Sequence, residues 1–172
     1  ANAMKVQLYQ AIANASIKAA SAEKDPAAKK AKFEEAASNL DLFLEANPED
    51  GNALLQKGQV MSALGKQDVA IECFTKAKEF GKEDAANKQL STIYVKQASA
   101  KLKAKDFSGA IEYAEKSNEF LENANAYKIA GVAANSSKDY KNAYAFLCKY
   151  LEFNPNDAQI KQAVEAIKAQ IK

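Results

Sequence analysis

Small residues recur along this chain at an interval of about 34 residues, and this recurrence strongly limits what the chain can fold into. Four alanines mark the interval: Ala36, Ala70, Ala110 and Ala143. Gly58 precedes Ala70 at the same spacing as Gly131 precedes Ala143. Before Ala110, the position at this spacing is held by Ala98. Because small side chains let two helix backbones approach closely, the pattern predicts helix-turn-helix units packed in series.

The residues around these positions resemble the tetratricopeptide repeat family from near residue 4 to the C-terminus. The best copy, residues 51–84, contains Leu54, Gly58, Met61, Gly65, Ala70, Ile71, Phe74, Ala77 and Phe80. The fourth copy, residues 124–157, contains Tyr127, Ala130, Gly131, Tyr140, Ala143, Leu147, Tyr150, Phe153 and Pro155. Two segments resemble the turn that ends a repeat in this family: Asn47-Pro48-Glu49-Asp50 and Asn154-Pro155-Asn156-Asp157. The third copy departs from the family at Ser117, which replaces the usual small Ala, and no proline ends it.

The resemblance implies an all-α fold, a right-handed α-solenoid of about four helical hairpins with a C-terminal capping helix. We expect a single domain over residues 1–172. Its repeats would cover about 4–50, 51–84, 85–123 and 124–157, with the cap at 158–172. Residues 85–90 exceed the repeat length. They either lengthen a helix at its start or form a lip of a binding groove.

Hydrophobic periodicity and capping residues predict nine helices. The clearest start is Asp25-Pro26, an N-cap followed by a proline at the first helical position. The predicted helices cover 4–22, 26–46, 52–64, 67–80, about 85–104, 107–120, 124–137, 140–153 and 158–172. The composition, with 48% hydrophobic and 27% charged residues and only 6 Gly and 3 Pro, favours a globular helical chain.

The sequence holds few candidates for catalysis or metal binding. It contains no His, the residue best suited to proton transfer near neutral pH. Cys73 and Cys148 cannot complete a common zinc pattern without it, and a whole repeat separates them, too far for a disulfide. The adjacent carboxylates Glu34 and Glu35 would point apart on a helix. We therefore predict no enzyme, no catalytic residue, no metal site and no cofactor.

All 24 basic residues are lysines, and the net charge is only +2. Without arginine, bidentate contacts to bases and phosphates are lost, so we expect no nucleic-acid partner. Five lysines nevertheless lie in residues 85–105, where no acidic residue occurs: Lys88, Lys96, Lys101, Lys103 and Lys105. This stretch is either a solvated helix face or a surface for carboxylates or phosphates.

The resemblance also implies a concave groove lined by the first helix of each repeat. The corresponding residues are Asn52, Leu55, Gln59, Ser62, Thr92, Val95, Ser99, Leu102, Lys103, Asn125, Lys128, Val132, Asn135 and Ser136. Some members of the family hold a terminal carboxylate with a Lys/Asn/Arg clamp on these helices. The equivalent positions here are Leu55, Gln59, Val95, Ser99, Lys128 and Val132, so the clamp is absent.

The sequence predicts a scaffold that binds a protein or peptide partner in this groove. The alternative is a structural protein that self-associates into a homo-oligomer. We expect no membrane span and a soluble domain, either cytoplasmic or exported to a periplasm. The lysine-rich, asparagine-rich and arginine-free composition is typical of bacterial proteins. Ala1-Asn2-Ala3 is either a remnant of cloning or the start of a mature exported domain.

Overall fold

The computed structural model describes residues 2–171, and this part of the chain is helical with no β-strand. The helices are α1 (Asn2–Ala22), α2 (Pro26–Ala46), α3 (Gly51–Ala63), α4 (Gln67–Ala77), α5 (Glu83–Lys103), α6 (Phe107–Phe120), α7 (Ala124–Ser136), α8 (Tyr140–Phe153) and α9 (Ala158–Lys168). The predicted all-α class is confirmed. Ala1, in the segment predicted as a cloning remnant or a mature start, and Lys172, the predicted end of the cap, lie outside the described residues.

Carboxylate caps begin several of the helices, among them the predicted cap at Asp25. The Asp25 carboxylate accepts a hydrogen bond of 2.7 Å from the Ala28 backbone N–H at the start of α2. Asp50 caps α3 in the same way through the Ala53 N–H at 2.9 Å. Asp50 also closes the proline-containing turn before α3, since its N–H donates to the Asn47 carbonyl at 3.2 Å. Each such turn therefore ends one hairpin and starts the next.

The junction between α4 and α5 differs from its prediction. The predicted helix over 67–80 ends as regular α-helix at Ala77, and a wider helical segment, Lys78–Lys82, follows. Within that segment Phe80 leaves the helical region and Gly81 has a φ of 78°, a conformation that glycine adopts without strain. Because α5 begins directly afterwards at Glu83, residues 85–90 are helical and lengthen α5 at its start.

The chain forms two compact units, one ending at Gln89 and the other beginning at Leu90. In the first unit α1 packs on α2, α2 on α3, and α3 on α4. In the second unit α6 packs on α7, α7 on α8, and α8 on α9. The α5 segment from Leu90 onward packs on α6, for example through the stacked rings of Tyr94 and Phe120, whose centroids are 5.7 Å apart. The division into four repeats within one domain stays a prediction.

Small residues allow close helix crossings in both units. A Cβ atom on Gly58 of α3 would lie 2.5 Å from the ring of Phe74, and one on Gly131 of α7 would lie 2.5 Å from a methyl of Leu147. Such distances are well inside van der Waals contact. The four recurring alanines are completely buried: Ala36, Ala70, Ala110 and Ala143. The recurrence therefore reflects helix contacts that larger side chains would prevent.

Ser117, where the third repeat departs from the family, belongs to a buried polar cluster. Its hydroxyl lies 2.9 Å from the Ser91 hydroxyl, and both accept hydrogen bonds from the Asn123 side-chain amide. Asn123 also caps α7 through the Ala126 N–H at 3.0 Å. The cluster thus joins α5, α6 and the start of α7 with its polar atoms satisfied, which offsets the cost of burying them.

Candidate functional site

A depression between α5 and α7 in the second unit is the candidate functional site. It has a volume of about 370 Å³ and is lined by Val95, Lys96, Ser99, Asn125, Lys128 and Ile129. We call it the α5–α7 pocket. Four of its residues belong to the groove predicted from the sequence: Val95, Ser99, Asn125 and Lys128. Predicted groove residues of α5 and of α7 therefore line the same pocket.

The floor of the α5–α7 pocket is apolar. Val95 and Ile129 pack against a core cluster of four small residues, Ala98, Ala114, Ala126 and Ala130. Both floor residues are only half-buried, so part of each faces the pocket. These alanines let α5, α6 and α7 pack closely against the two floor residues.

Lys128 stands on the rim of the pocket beside an anionic group. Its Nζ atom lies 3.5 Å from an Asp157 carboxylate oxygen and 5.0 Å from the centre of the Tyr150 ring. Asp157 caps α9 through the Ile160 N–H at 3.1 Å and accepts a hydrogen bond of 2.8 Å from the Tyr150 hydroxyl. The Ile160 and Tyr150 hydrogen bonds, followed by the charge of Lys128, lower the pKa of Asp157. Asp157 therefore stays ionised and holds Lys128 toward α9.

The lysines of α5 differ in how far their charge is compensated. Lys101 forms an ion pair with Asp106 at 2.8 Å, and this hydrogen bond raises the pKa of Lys101. Lys96 is exposed, lines the pocket and has no ion pair within residues 2–171. Lys96 is therefore the rim cation whose charge is least compensated.

The other predicted groove residues of the second unit lie outside the pocket lining. Thr92, Lys103 and Asn135 are exposed, and Leu102 is half-buried. Val132 is 37% exposed, a large value for an aliphatic residue on a packed helix. Ser136 is exposed, and its hydroxyl donates a hydrogen bond of 2.8 Å to the Val132 carbonyl within α7.

In the first unit, the predicted residues lie on α3. Asn52 and Gln59 are exposed, while Leu55 and Ser62 are half-buried. The neighbouring Gln56 donates a hydrogen bond of 2.9 Å to Asn14 of α1. That contact joins α1 and α3 within the first unit.

The predicted row of groove residues omitted Lys96 and Ile129, although Lys96 was named in the lysine-rich stretch. Each directly follows a predicted residue, Val95 and Lys128 respectively. Successive helical residues are turned by about 100° around the axis, so a pocket between two helices reaches beyond a single row of positions. The lysine stretch in residues 85–105 was the available signal for Lys96.

The described part of the chain offers little for metal binding or for nucleophilic chemistry. Within residues 2–171 no group of three or more His, Cys, Asp or Glu side chains is arranged to hold a metal ion. Both cysteines are free thiols. Burial raises the pKa of the Cys73 thiol, which makes it a poor nucleophile. Across the described residues, no helix has the length and apolar character needed to cross a bilayer.

Solved structures with similar folds were found for nearly the whole chain. The crystal structure of MamA protein is 18% identical and has a TM-score of 0.53, covering 94% of this chain and 80% of that one. MamA from Desulfovibrio magneticus RS-1, residues 41 to the end, is 18% identical with a TM-score of 0.50, covering 96% and 85%. The TPR domain of Arabidopsis OM64 is 22% identical over 72% of this chain and 98% of that domain, with a TM-score of 0.46.

The repeated hairpins and their buried small residues agree with the fold of the two MamA structures. The chain has a tetratricopeptide-repeat fold. No protein-family model matches the sequence, and no curated protein matches it significantly. In the predicted division into four repeats, α5 and α7 would be the first helices of the third and fourth repeats.

Proposed function

We propose that this chain is a non-catalytic binding module that holds an extended peptide segment of a partner protein in the α5–α7 pocket. The observation that carries the proposal is the apolar floor of Val95 and Ile129, which stays partly exposed beneath a polar rim. Partly exposed apolar side chains in a depression gain free energy when a ligand covers them. Repeat arrays use such surfaces to bind other proteins.

The rim supplies groups that suit a peptide main chain. The Ser99 hydroxyl both donates and accepts hydrogen bonds, and the Asn125 side chain offers an amide N–H and a carbonyl. An extended peptide carries the same two kinds of group on its backbone. Apolar pockets for alternate side chains, together with main-chain hydrogen bonds, are a common way of recognising such a segment.

A selection experiment with two substitutions tests this function. A display library of random short peptides is selected on the wild-type protein, and binding of the enriched family is compared with that of the Val95→Thr/Val132→Glu variant. Val95 lines the pocket, and Val132 lies one helical turn after the lining residue Lys128 on α7, so a glutamate there borders the pocket. We expect the wild type to enrich one sequence family and the variant to bind it about 5- to 30-fold more weakly, as loss of a buried interface contact costs about 1 to 2 kcal/mol. Val95→Thr keeps the branched side-chain shape at a half-buried position, and Val132 is 37% exposed, so the melting midpoint of the double variant should change little.

Val69→Glu provides the matched control. Val69 of α4 is 38% exposed, as Val132 is, and it lies in the first unit. We expect this control to bind the selected peptides like the wild type. Absence of any enriched family, or equal binding by the Val95→Thr/Val132→Glu variant, would contradict the proposed site.

Self-association is the second candidate function, and the outer face of α1 favours it. Met4 is 78% exposed and Leu8 is 55% exposed, one helical turn apart. Exposed apolar residues on adjacent turns commonly mark an interface. If two copies pair through α1, sedimentation should show a dimer that Leu8→Lys converts to monomer. A wild-type chain that stays monomeric at all concentrations would rule this out.

A further inference from the structure

We propose that the peptide segment bound in the α5–α7 pocket is acidic, with Asp or Glu side chains next to apolar ones. This inference rests on the proposed function, because it assigns the chemical class of ligand to the same site. The carboxylates concerned are those of side chains within the segment, not that of a chain terminus. Four features of the pocket support the assignment.

The first feature is the charge of the two helices that border the pocket. The second-unit part of α5, from Leu90 to Lys103, contains three lysines and no Asp or Glu: Lys96, Lys101 and Lys103. The whole of α7, Ala124–Ser136, has one lysine, Lys128, and no acidic residue. A carboxylate above the pocket would therefore meet no repulsion from either helix.

The second feature is the position of Lys96. It is exposed on the rim, it lines the pocket, and no ion pair compensates it within the described residues. In the free protein the Lys96 ammonium is exposed and stays hydrated. When a ligand covers the pocket, the local dielectric falls and the attraction between this ammonium and a ligand carboxylate becomes stronger. Lys96 is the side chain best placed to select a negative charge.

The third feature is the state of the nearest anion. Both oxygens of Asp157 accept hydrogen bonds, one from the Ile160 N–H at 3.1 Å and one from the Tyr150 hydroxyl at 2.8 Å. Lys128 lies 3.5 Å from the second oxygen. The charge of Asp157 is thus largely compensated by its own neighbours, so it does little to repel an incoming carboxylate.

The fourth feature is the apolar floor. A purely electrostatic surface would need only lysines, whereas this pocket places Val95 and Ile129 beneath the rim. The ligand must therefore offer an apolar side chain to the floor and a carboxylate to Lys96. With a net charge of only +2 on the whole chain, this attraction is local to the pocket and does not arise from general polyanion binding.

The experiment uses the same display selection on the full chain, with short random peptides whose C-termini are blocked. We expect the enriched family to carry Asp or Glu adjacent to Leu, Ile, Val or Phe. A synthetic peptide of that sequence should bind Lys96→Glu at least about tenfold more weakly than wild type, a change of about 1.4 kcal/mol. Its affinity for the wild type should also fall as salt rises from about 50 to about 500 mM, because salt screens exposed charge pairs.

Lys161→Glu is the matched control, because it makes the same charge change at an exposed lysine of α9 that does not line the pocket. It should bind the peptide like the wild type. Equal weakening by both variants, or equal competition by a single-stranded DNA oligonucleotide, would overturn the inference in favour of unspecific charge attraction.

The outcomes separate this inference from the proposed function. If the enriched family is neutral or basic, or if Lys96→Glu leaves its affinity unchanged, the acidic assignment is wrong while peptide binding stands. If no family is enriched, the proposed function itself fails. Circular dichroism and the melting midpoint of Lys96→Glu should match the wild type, since Lys96 is exposed on the surface of α5.

Discussion

Removal of residues 158–172 will sharply destabilise the second unit and make the chain prone to aggregate. The apolar stripe of α9, Ile160, Val164 and Ile167, is buried in one cluster with Leu147 and Tyr150 of α8. At about 1.5 to 3 kcal/mol for each large apolar side chain buried, the loss is on the order of 5 kcal/mol. Since whole domains are stable by only about 5 to 15 kcal/mol, the truncated chain should lie near its unfolding threshold.

Urea denaturation followed by circular dichroism measures this change, and size-exclusion chromatography detects the aggregation. The control is a chain that ends at Lys168, the last residue of α9. It keeps the three buried side chains and should unfold at the wild-type urea midpoint. A truncated chain that is as stable and soluble as the parent would show that α9 does not cap the unit.

Replacement of Gly58 by leucine should lower stability by on the order of 1 to 3 kcal/mol through overpacking of the crossing between α3 and α4. The first atom of any side chain there would lie 2.5 Å from the Phe74 ring, and Phe74 is fully buried and unable to swing into solvent. Gly58→Ala should also destabilise, even though alanine is the better helix former by about 1 kcal/mol. A loss of stability in Gly58→Ala would show that steric packing against Phe74 dominates, and a gain would show that helix propensity dominates.

Thermal melts of Gly58→Leu, Gly58→Ala and Ala145→Leu give the comparison. Ala145 is exposed on α8, so its replacement by leucine adds the same side chain without a crossing helix above it and should leave the midpoint nearly unchanged. A rise in the midpoint with Gly58→Ala would contradict the close approach of α3 and α4.

Much of the helical order could be predicted because its signals are local. The bounds of α2, α6 and α8 agree with the predicted ranges 26–46, 107–120 and 140–153. Asp25-Pro26 indicated the first of these starts, and in the structure the Asp106 and Asp139 carboxylates cap the other two. A capping hydrogen bond spans only three residues, so the sequence around each start contains both partners. The recurring small residues likewise indicated which helix positions face a neighbour.

The α4–α5 junction could not be placed as accurately, because no proline ends the second repeat. Without one, the backbone continues through the wide segment Lys78–Lys82 and returns to regular helix at Glu83. Gly81, with a φ of 78°, marks the break in this segment. Helix α3 packs against the segment Lys78–Lys82, and the residues next to the junction do not specify this tertiary contact.

The site was predicted only in part. A single row of helix positions indicated Val95, Ser99, Asn125 and Lys128, and these line the α5–α7 pocket. The same row included Thr92, Lys103 and Asn135, which lie outside it, and omitted Lys96 and Ile129. A row on one helix cannot show how far the adjacent helix lies or how the two are rotated, and these two quantities set the edges of a pocket.

The sequence by itself determined the all-α class, the hairpin repeat and the absence of histidine chemistry, since these depend on residue type, short-range capping and periodic spacing. The tertiary structure decided which side chains share a surface and which charges remain uncompensated. Lys128 is drawn to Asp157, which is 29 residues away along the chain, whereas Lys96 has no such partner within the described residues. Ion pairs and pockets depend on distances between side chains that are remote in sequence, and only the packing of the helices sets those distances.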